Sequence, residues 1–215
     1  MKLDFVGVKC QPEMSDHYVL QCLSQMMLND PYDAEGEKEP VVSSCEADND
    51  GALTMQILKL LSGLKPTMLL DIRNIREGEF IGANCGSMPS WYTNYASEAS
   101  TNLKDVHIIP NAFGKAGGGA IQFVAGDRDI VTLARLCRRN AQYWMAIFKG
   151  SIINKPREEL KKTTWSFPHV FVKVDFDKRK FLDTYGSNHI HLGVGDLVGK
   201  LVEFCKIQSI DYKIY

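Results

Sequence analysis

The sequence predicts an α/β plus mainly β fold, with the change of class near Gly78. Before this point, short apolar runs alternate with amphipathic helical patterns, which is typical of βαβ units and a parallel sheet. After it, glycine and serine become more frequent and short apolar runs follow one another closely, which favours β-hairpins. We therefore predict a parallel α/β sheet fragment at residues 1–78. An antiparallel β-rich domain of barrel or sandwich type, with a C-terminal helix, is predicted at residues 79–215.

The first segment is predicted to contain three strands and two helices. In chain order, these are a strand at 5–9, a helix from about 15 to 27, a strand at 41–45, a helix at about 51–61 and a strand at 66–70. Glu46 and Asp71 directly follow the second and third strands. Because ligands in open α/β sheets bind at the carboxyl ends of strands, we expect these two carboxylates to share one edge of the sheet.

The second segment is predicted to be built mainly from hairpins. Its apolar runs predict strands at 120–125, 131–137, 143–148 and 169–174, and helical spacing predicts a last helix at about 196–206. Turn-forming residues such as Gly126 and Asp127 separate neighbouring runs. This spacing favours an antiparallel sheet over further βα units.

The composition is that of an ordinary globular protein, with 45% apolar residues and a formal net charge of -1 over 215 residues. So small a charge provides no field that would attract nucleic acid or an anionic membrane, and a small neutral ligand fits better. The sequence contains no apolar run long enough to span a bilayer, and its start lacks the apolar core of a secretory signal. We therefore expect a cytoplasmic protein.

The cysteines are widely separated along the chain and form no Cys-x-x-Cys pair. There are six: Cys10, Cys22, Cys45, Cys85, Cys137 and Cys205. This distribution indicates neither a zinc knuckle nor a disulfide scaffold. We expect reduced and mostly buried thiols.

Two acids and a histidine from distant segments form the candidate site. Glu46, Asp71 and His189 together provide the oxygen and nitrogen donors that a divalent metal needs. Each residue also has a plain structural explanation. Acids that precede a helix often cap it, an acid at the end of a strand is often a solvated boundary residue or the partner of a nearby arginine, and a lone histidine is more often structural than a ligand.

The capping role is assigned to the two aspartates that follow Glu46, since Asp48 and Asp50 lie closer to the predicted helix. For the histidine, the sequence offers both His189 and His191. Asn188 beside His189, together with the glycines after His191, predicts a tight loop that leads into the last helix, where functional side chains are commonly displayed. We expect the two rings to point to opposite sides of an extended segment, so that only His189 reaches the site.

Four segments resemble the C-terminal half of the L-fucose isomerase family. They are Gly7 to Tyr18, Cys45 to Asp48 with Gly51 to Thr54, Leu70 to Arg73, and Asn188-His189. The order of these segments along the chain also agrees with the family. The resemblance implies an α/β middle domain followed by a β-rich last domain, which agrees with the change of pattern near Gly78.

The resemblance further implies a manganese-dependent aldose-ketose isomerase that acts through an ene-diol intermediate. Glu46, Asp71 and His189 would bind the metal, and Glu46 and Asp71 would also act as the catalytic acid/base pair. Thr163 to Trp165 resembles a family segment whose tryptophan borders the substrate, so Trp165 and Asn188 are the implied sugar-binding residues. A tryptophan that precedes a strand can equally belong to the core, and that alternative stays open.

Family members are considerably longer than this chain, and their N-terminal segments contribute to the sugar pocket. The resemblance therefore implies a fragment or truncated form, which would act as a homo-oligomer or in association with an N-terminal half. Its expected partner is a small sugar, with neither nucleic acid nor membrane. The alternative is a non-catalytic sugar-binding or subunit-interaction module that retains the isomerase fold.

Overall fold

A small parallel sheet with its surrounding helices forms the first part of the protein, which the computed structural model describes over residues 3–215. The elements of this part are β1 Phe5–Val8, α1 Glu13–His17, α2 Cys22–Asn29, β2 Tyr32–Asp33, β3 Gly36–Glu37, β4 Val42–Cys45 and α3 Asn49–Leu61. Strands β1 and β4 are parallel, with Val8 opposite Cys45. The predicted parallel pairing of these two strands and the predicted helix at 51–61 are confirmed.

The helix predicted from residue 15 to residue 27 is instead two helices, α1 and α2. Tyr18, at the break, is extended, with φ -132° and ψ 177°. Leu20 is buried, and its backbone N–H donates to the carbonyl of Gly117 at 3.4 Å. This contact with a distant loop requires an open backbone at 18–21. Helical spacing of apolar residues could not reveal it, because the contact is not local.

The rest of the chain is rich in strands. Its elements are β5 Met68–Arg76, β6 Glu79–Ala83, a 3₁₀ helix at Ser90–Thr93, α4 Ala99–Leu103, β7 His107–Pro110, β8 Gly119–Gln122, β9 Arg128–Arg139, β10 Gln142–Ile152, a 3₁₀ helix at Arg157–Lys162, β11 His169–Val174, α5 Lys178–Thr184, β12 His189–Val194, α6 Val198–Gln208 and β13 Asp211–Ile214. The predicted strands and the predicted last helix are all present, with somewhat different ends.

Seven strands of the described chain form one mixed sheet in the order β11-β6-β5-β12-β9-β10-β13. Strand β10 also pairs with β11, where Gly150 lies opposite Val174, so the pairings from β11 to β10 close into a ring. Neighbouring strands within this ring are antiparallel, whereas β13 adds to β10 in parallel. Large side chains such as Phe80, Phe148 and Leu70 fill the main core. Closure gives each strand of the ring a neighbour on both sides, whereas β13 remains an edge strand.

Strand β5 is not the third strand of the parallel sheet. It runs through Asp71 to Arg76 and pairs antiparallel with β6 on one side and β12 on the other. The expectation that Glu46 and Asp71 follow strands of one parallel sheet is therefore wrong. The pairing partner of β5 lies far along the chain, so local alternation of strand and helix could not reveal it. The β5–β6 hairpin also spans Gly78, where the domain boundary stays a prediction.

Helix α3 connects the two parts of the fold. Ile57 and Leu58 pack with α6 residues against the outer face of β9 and β10, and Thr54 Oγ1 accepts a hydrogen bond from the backbone of Leu136 at 2.9 Å. This packing places the N-terminus of α3 beside the start of β12. α3 has 13 residues, and within residues 3–215 no helix combines the length and apolar character needed to cross a membrane.

Candidate metal centre

Two of the three candidate ligands are positioned by one strand pair. Asp71 of β5 lies directly opposite His189 of β12, so both side chains project from the same face of the sheet. His189 Nε2 is 3.2 Å from Asp71 Oδ1. Asp71 also lies opposite Ala83 of β6, so β5 is held on both sides at this position. The side chains are largely buried, with 7% of His189 and 14% of Asp71 exposed.

Glu46 reaches the same place from a tight turn. The backbone N–H of Asp48 donates to the carbonyl of Cys45 at 3.1 Å, and the two central residues, Glu46 and Ala47, have φ of 58° and 52°. Positive φ is costly for residues other than glycine, by about 1–3 kcal/mol each, and such strain persists only where the surroundings enforce it. Here, a hydrogen bond from Ala47 N–H to the carbonyl of Val8, at 3.0 Å, ties the turn to β1. Glu46 Oε2 lies 3.4 Å from His189 Nε2.

Asp48 fixes the orientation of the His189 ring. Its side chain caps α3 by accepting from Gly51 N–H at 2.9 Å, lies 2.8 Å from His189 Nδ1, and forms an ion pair with Arg135. Burial alone would raise the pKa of Asp48, but His189 and Arg135 hold it well below its usual range. An ionised carboxylate can only accept, so Nδ1 carries the proton and donates it. This leaves Nε2 directed at Glu46 and Asp71.

The Nε2 atom of His189 is buried and makes no hydrogen bond to any residue within 3–215. Burial by itself lowers the pKa of His189, but the hydrogen bond to Asp48 and the nearby Asp71 outweigh it and raise the pKa to about 9. In its neutral form, Nε2 would direct a lone pair at two carboxylates. A proton or a cation between these groups removes the repulsion.

The donor set fits a hard divalent cation. The ligand atoms of Glu46, Asp71 and His189 all lie within 4.8 Å of one another. Adjacent ligands of an octahedral ion with bonds of about 2.1 Å lie about 3 Å apart, close to the 3.2 and 3.4 Å observed here. Asp48 supplies the carboxylate that commonly orients a metal-binding histidine through its other ring nitrogen. The three residues therefore form a possible metal-binding cluster.

His191 lies on the same side of β12 as His189, and the expectation that the two rings point to opposite sides is wrong. Residues two apart on a strand share a face. Both rings approach Asp48 Oδ2, with His191 Nε2 at 4.0 Å. The two histidines also begin a strand and not the predicted loop. The His191 ring is fully buried without a hydrogen-bond partner among the described residues, and burial together with Arg135 lowers its pKa to about 3.

Asp71 does have the arginine partner that its plain structural explanation requires. Arg73 Nη2 is 3.3 Å from Asp71 Oδ2, and the Arg73 guanidinium lies over the ring of Phe167. Arg73 is the extra residue of a bulge in β5, because Ile72 lies opposite Gly82 and Asn74 opposite Ile81. Bulges of this kind redirect side chains beside functional sites. The contact uses one oxygen of Asp71 and leaves Oδ1 facing His189.

The two implied sugar-binding residues are both exposed. Trp165 is 56% exposed, so it is not the core tryptophan of the alternative interpretation. It lies two residues before Phe167, whose ring contacts Arg73. Asn188 precedes His189, and its backbone carbonyl accepts from Ile72 N–H at 2.8 Å. The sugar-binding role of both side chains stays a prediction.

The second and larger part of the chain is similar to a known protein family. Residues 82–215, more than half of the chain, match the family described as L-fucose isomerase, C-terminal domain. The chain belongs to this family. The matched region includes His189, Trp165 and Asn188, whereas Glu46 and Asp71 precede it. A comparison with curated proteins gave no match.

Sequence reasoning missed the roles of Asp48 and Arg135. Asp48 was predicted as a helix cap, which is confirmed, but its contacts with His189 and Arg135 were not foreseen. Arg135 lies within the apolar run 131–137 of a central strand, and its side chain is mostly buried. A charged residue inside such a run was the available signal, because buried charges require a partner.

Proposed function

We propose that this protein is a metal-dependent aldose-ketose isomerase of the L-fucose isomerase type. The observation that supports the proposal best is the arrangement around His189. Its unpartnered Nε2 faces one oxygen each of Glu46 and Asp71, and Asp48 fixes the ring from the other side. Oxygen ligands with one imidazole favour manganese or magnesium over metals that prefer thiolates.

In this proposal, Glu46 and Asp71 bind the cation and move the proton. One carboxylate removes the proton from C2 of an open-chain aldose, and a proton is returned at C1, which passes the sugar through an ene-diol. A positioned base of this kind contributes about 10²–10⁴-fold to the rate. Glu46 suits contact with the sugar because 48% of its side chain is exposed, whereas Arg73 and the strand pair hold Asp71 in place. The bound cation would supply positive charge that stabilises negative charge on the sugar oxygens.

The test uses the full chain, stripped with a chelator and then given Mn²⁺, with L-fucose and L-arabinose as separate substrates. We expect ketose formation that depends on Mn²⁺. In deuterium oxide, the product should carry solvent deuterium at C1, because a proton released to a carboxylate can exchange. Retention of the original hydrogen throughout would instead indicate a hydride shift and contradict the acid/base roles.

Glu46→Gln keeps the size of the side chain but removes its charge and should abolish turnover. Glu35→Gln, in an exposed loop, is the matched control and should retain it. Saturable sugar binding without any ketose would favour the alternative function, a sugar-binding or subunit-interaction module. Absence of Mn²⁺ binding to the unmodified chain would contradict the proposal.

A further inference from the structure

Four cysteines that are far apart in sequence come together beside Glu46. One small enclosed space is lined by Cys10, Cys22, Cys45 and Cys85 together with Glu46. All six cysteines of the chain are free thiols. Cys205 lies in α6 and packs in a different apolar cluster, and Cys137 belongs to the main core. The expectation of reduced and mostly buried thiols is confirmed, but the wide separation of the cysteines along the chain did not indicate that four of them line one space.

Cys45 is the thiol of this group that lies next to Glu46 in sequence. It lines the same small space as Cys10 and Cys85. Cys10 and Cys45 are almost completely buried, whereas Cys85 is partly exposed. The Cys22 thiol has a hydrogen-bond partner outside this group, because Asn111 Nδ2 donates to its sulfur at 3.1 Å. Cys85 is thus the thiol that solvent reaches, and Cys45 is a buried thiol of the same space.

The position of Cys45 couples this group to the candidate metal centre. Cys45 is the last residue of β4, and Glu46 is the next residue. Its carbonyl accepts the hydrogen bond from Asp48 that closes the turn on which Glu46 is displayed. A disulfide requires its two sulfurs to approach to about 2.05 Å with a specific dihedral angle, which constrains both backbones. A new bond at Cys45 therefore pulls on the turn that holds Glu46 at positive φ.

We propose that Cys45 is the centre of an oxidisable thiol site, and that it forms a disulfide with Cys85 or Cys10 when the protein meets a peroxide. Oxidation then weakens divalent-cation binding by displacing Glu46. This second part rests on the proposed function. The reactant is hydrogen peroxide, which meets Cys85 at its partly exposed side.

The proposed chemistry is balanced in two steps. The Cys85 thiolate attacks one oxygen of the peroxide, the O–O bond breaks, and hydroxide leaves to become water, which gives a sulfenic acid. The Cys45 sulfur then attacks the Cys85 sulfur, an S–S bond forms, and a second water leaves. Two thiols lose two electrons and two protons, and the peroxide accepts them. Exchange with Cys10 moves the bond to Cys10 and Cys45 without further oxidation.

The first measurement is the disulfide itself, in the metal-free full chain so that no metal-catalysed oxidation occurs. Hydrogen peroxide is added, and the intact mass and a non-reducing peptide map are recorded. We expect the loss of two hydrogens, a cross-link that contains Cys45, and full reversal by dithiothreitol. Cys45→Ser should lose the cross-link, while Cys205→Ser, a matched change of a buried thiol, should retain it. Absence of a Cys45 cross-link in the unmodified chain would overturn the proposal.

The second measurement is the affinity for Mn²⁺ before and after oxidation. We expect a decrease of about tenfold or more, which is typical when the support of a metal ligand is disturbed. A cross-link without any change in affinity would overturn the coupling to Glu46. If the reduced protein also failed to bind Mn²⁺ while the cross-link still formed, the proposed function would be contradicted. The proposal of an oxidisable thiol site would still be supported. Cys85→Ser, at a partly exposed position, provides a second variant if Cys45→Ser fails to fold.

Discussion

Glu46 and the Asp71–His189 pair reach the same site by different means. Asp71 and His189 face each other across a register of antiparallel strands, and β5 has a hydrogen-bonded neighbour on each side. Glu46 lies on a turn with positive φ at two successive residues, and almost half of its side chain is exposed. The sheet therefore supplies a rigid half of the site, and the turn supplies an adjustable half. Asp48 joins the two, because it caps α3 and also holds His189.

The largest expected effect comes from removing the charge of Asp48, the residue that caps α3 and contacts His189. Asp48→Asn preserves a good helix cap but leaves Arg135 buried without its counter-ion. Breaking a buried ion pair from one side costs about 3–5 kcal/mol, so we expect a loss of this size in the free energy of unfolding, measured with urea. Asp50→Asn is the matched control, because its partner Arg138 is exposed and such pairs contribute about 0–1 kcal/mol. Similar losses in both variants would show that Asp48 does not join the halves.

The rigid half is tested by exchanging its histidine. His189→Ala removes a candidate ligand, and we expect Mn²⁺ affinity to fall by about 100-fold or more, since even changes to the support of a ligand cost 10–100-fold. His191→Ala should change the affinity little, because His191 is outside the cluster of candidate ligand atoms and its ring approaches Asp48 instead. Exposed His107→Ala serves as a control for removing an imidazole. Equal loss in His189→Ala and His191→Ala, measured by calorimetry, would show that the ligand assignment is wrong.

The packing beneath the turn is tested with a glycine. A Cβ on Gly51 would lie 2.5 Å from His191 Nε2 and 2.6 Å from Asp48 Oδ2. We expect Gly51→Ala to destabilise the protein by about 1–3 kcal/mol through overpacking, although alanine is the better helix former. Gly199→Ala in α6 meets nothing within 4 Å and should stabilise by about 0.4–1 kcal/mol. If both variants gained stability in thermal unfolding, Asp48 and His191 would have room to move away from the added methyl group, and the packing around Gly51 would not be tight.

Asp30 forms a second contact between the first part of the fold and the strand-rich part, and we expect its contribution to stability to depend on pH. Buried Asp30 follows α2 and accepts hydrogen bonds from Ser90 Oγ at 2.6 Å and Trp91 N–H at 3.0 Å. Burial raises its pKa to about 6 from the ordinary 3.8. The folded state thus retains a proton that the unfolded state has released. The resulting stability is fully present below pH 3.8 and is lost as the pH rises through 6.

We expect the Asp30 contribution to the free energy of unfolding to fall with a slope of at most about 1.4 kcal/mol per pH unit between these values. Asp30→Asn should remove this slope. The measurement is urea unfolding from pH 4 to pH 7, with Asp33→Asn, an exposed neighbour, as the control. An unchanged slope in Asp30→Asn would show that Asp30 is ionised throughout this range.

The sequence predicted the local elements well and their long-range pairing poorly. Apolar runs and caps located β4, α3 and the hairpin strands, because these signals lie within a few residues. The assignment of β5 to a parallel sheet was wrong, since its register with β12 depends on residues far along the chain. Glu46, Asp71 and His189 were nonetheless selected together, and the structure brings them within reach of one ion. The chemistry of two acids and a histidine suggested that selection and the motif resemblance supported it, whereas the geometric reason offered for the shared edge was wrong.

The contact between His189 and Asp48 joins residues 141 positions apart. During synthesis, the chain emerges from the ribosome with Glu46 and Asp71 long before His189. Pairings over such sequence separations are slow to form, because the entropy of closing the loop must be lost first. His189, the third candidate ligand, therefore joins the other two only after β12 has paired with the sheet. An ion bound by all three residues would thus indicate a completely folded molecule. By mass action, such an ion would also retain chains in that state.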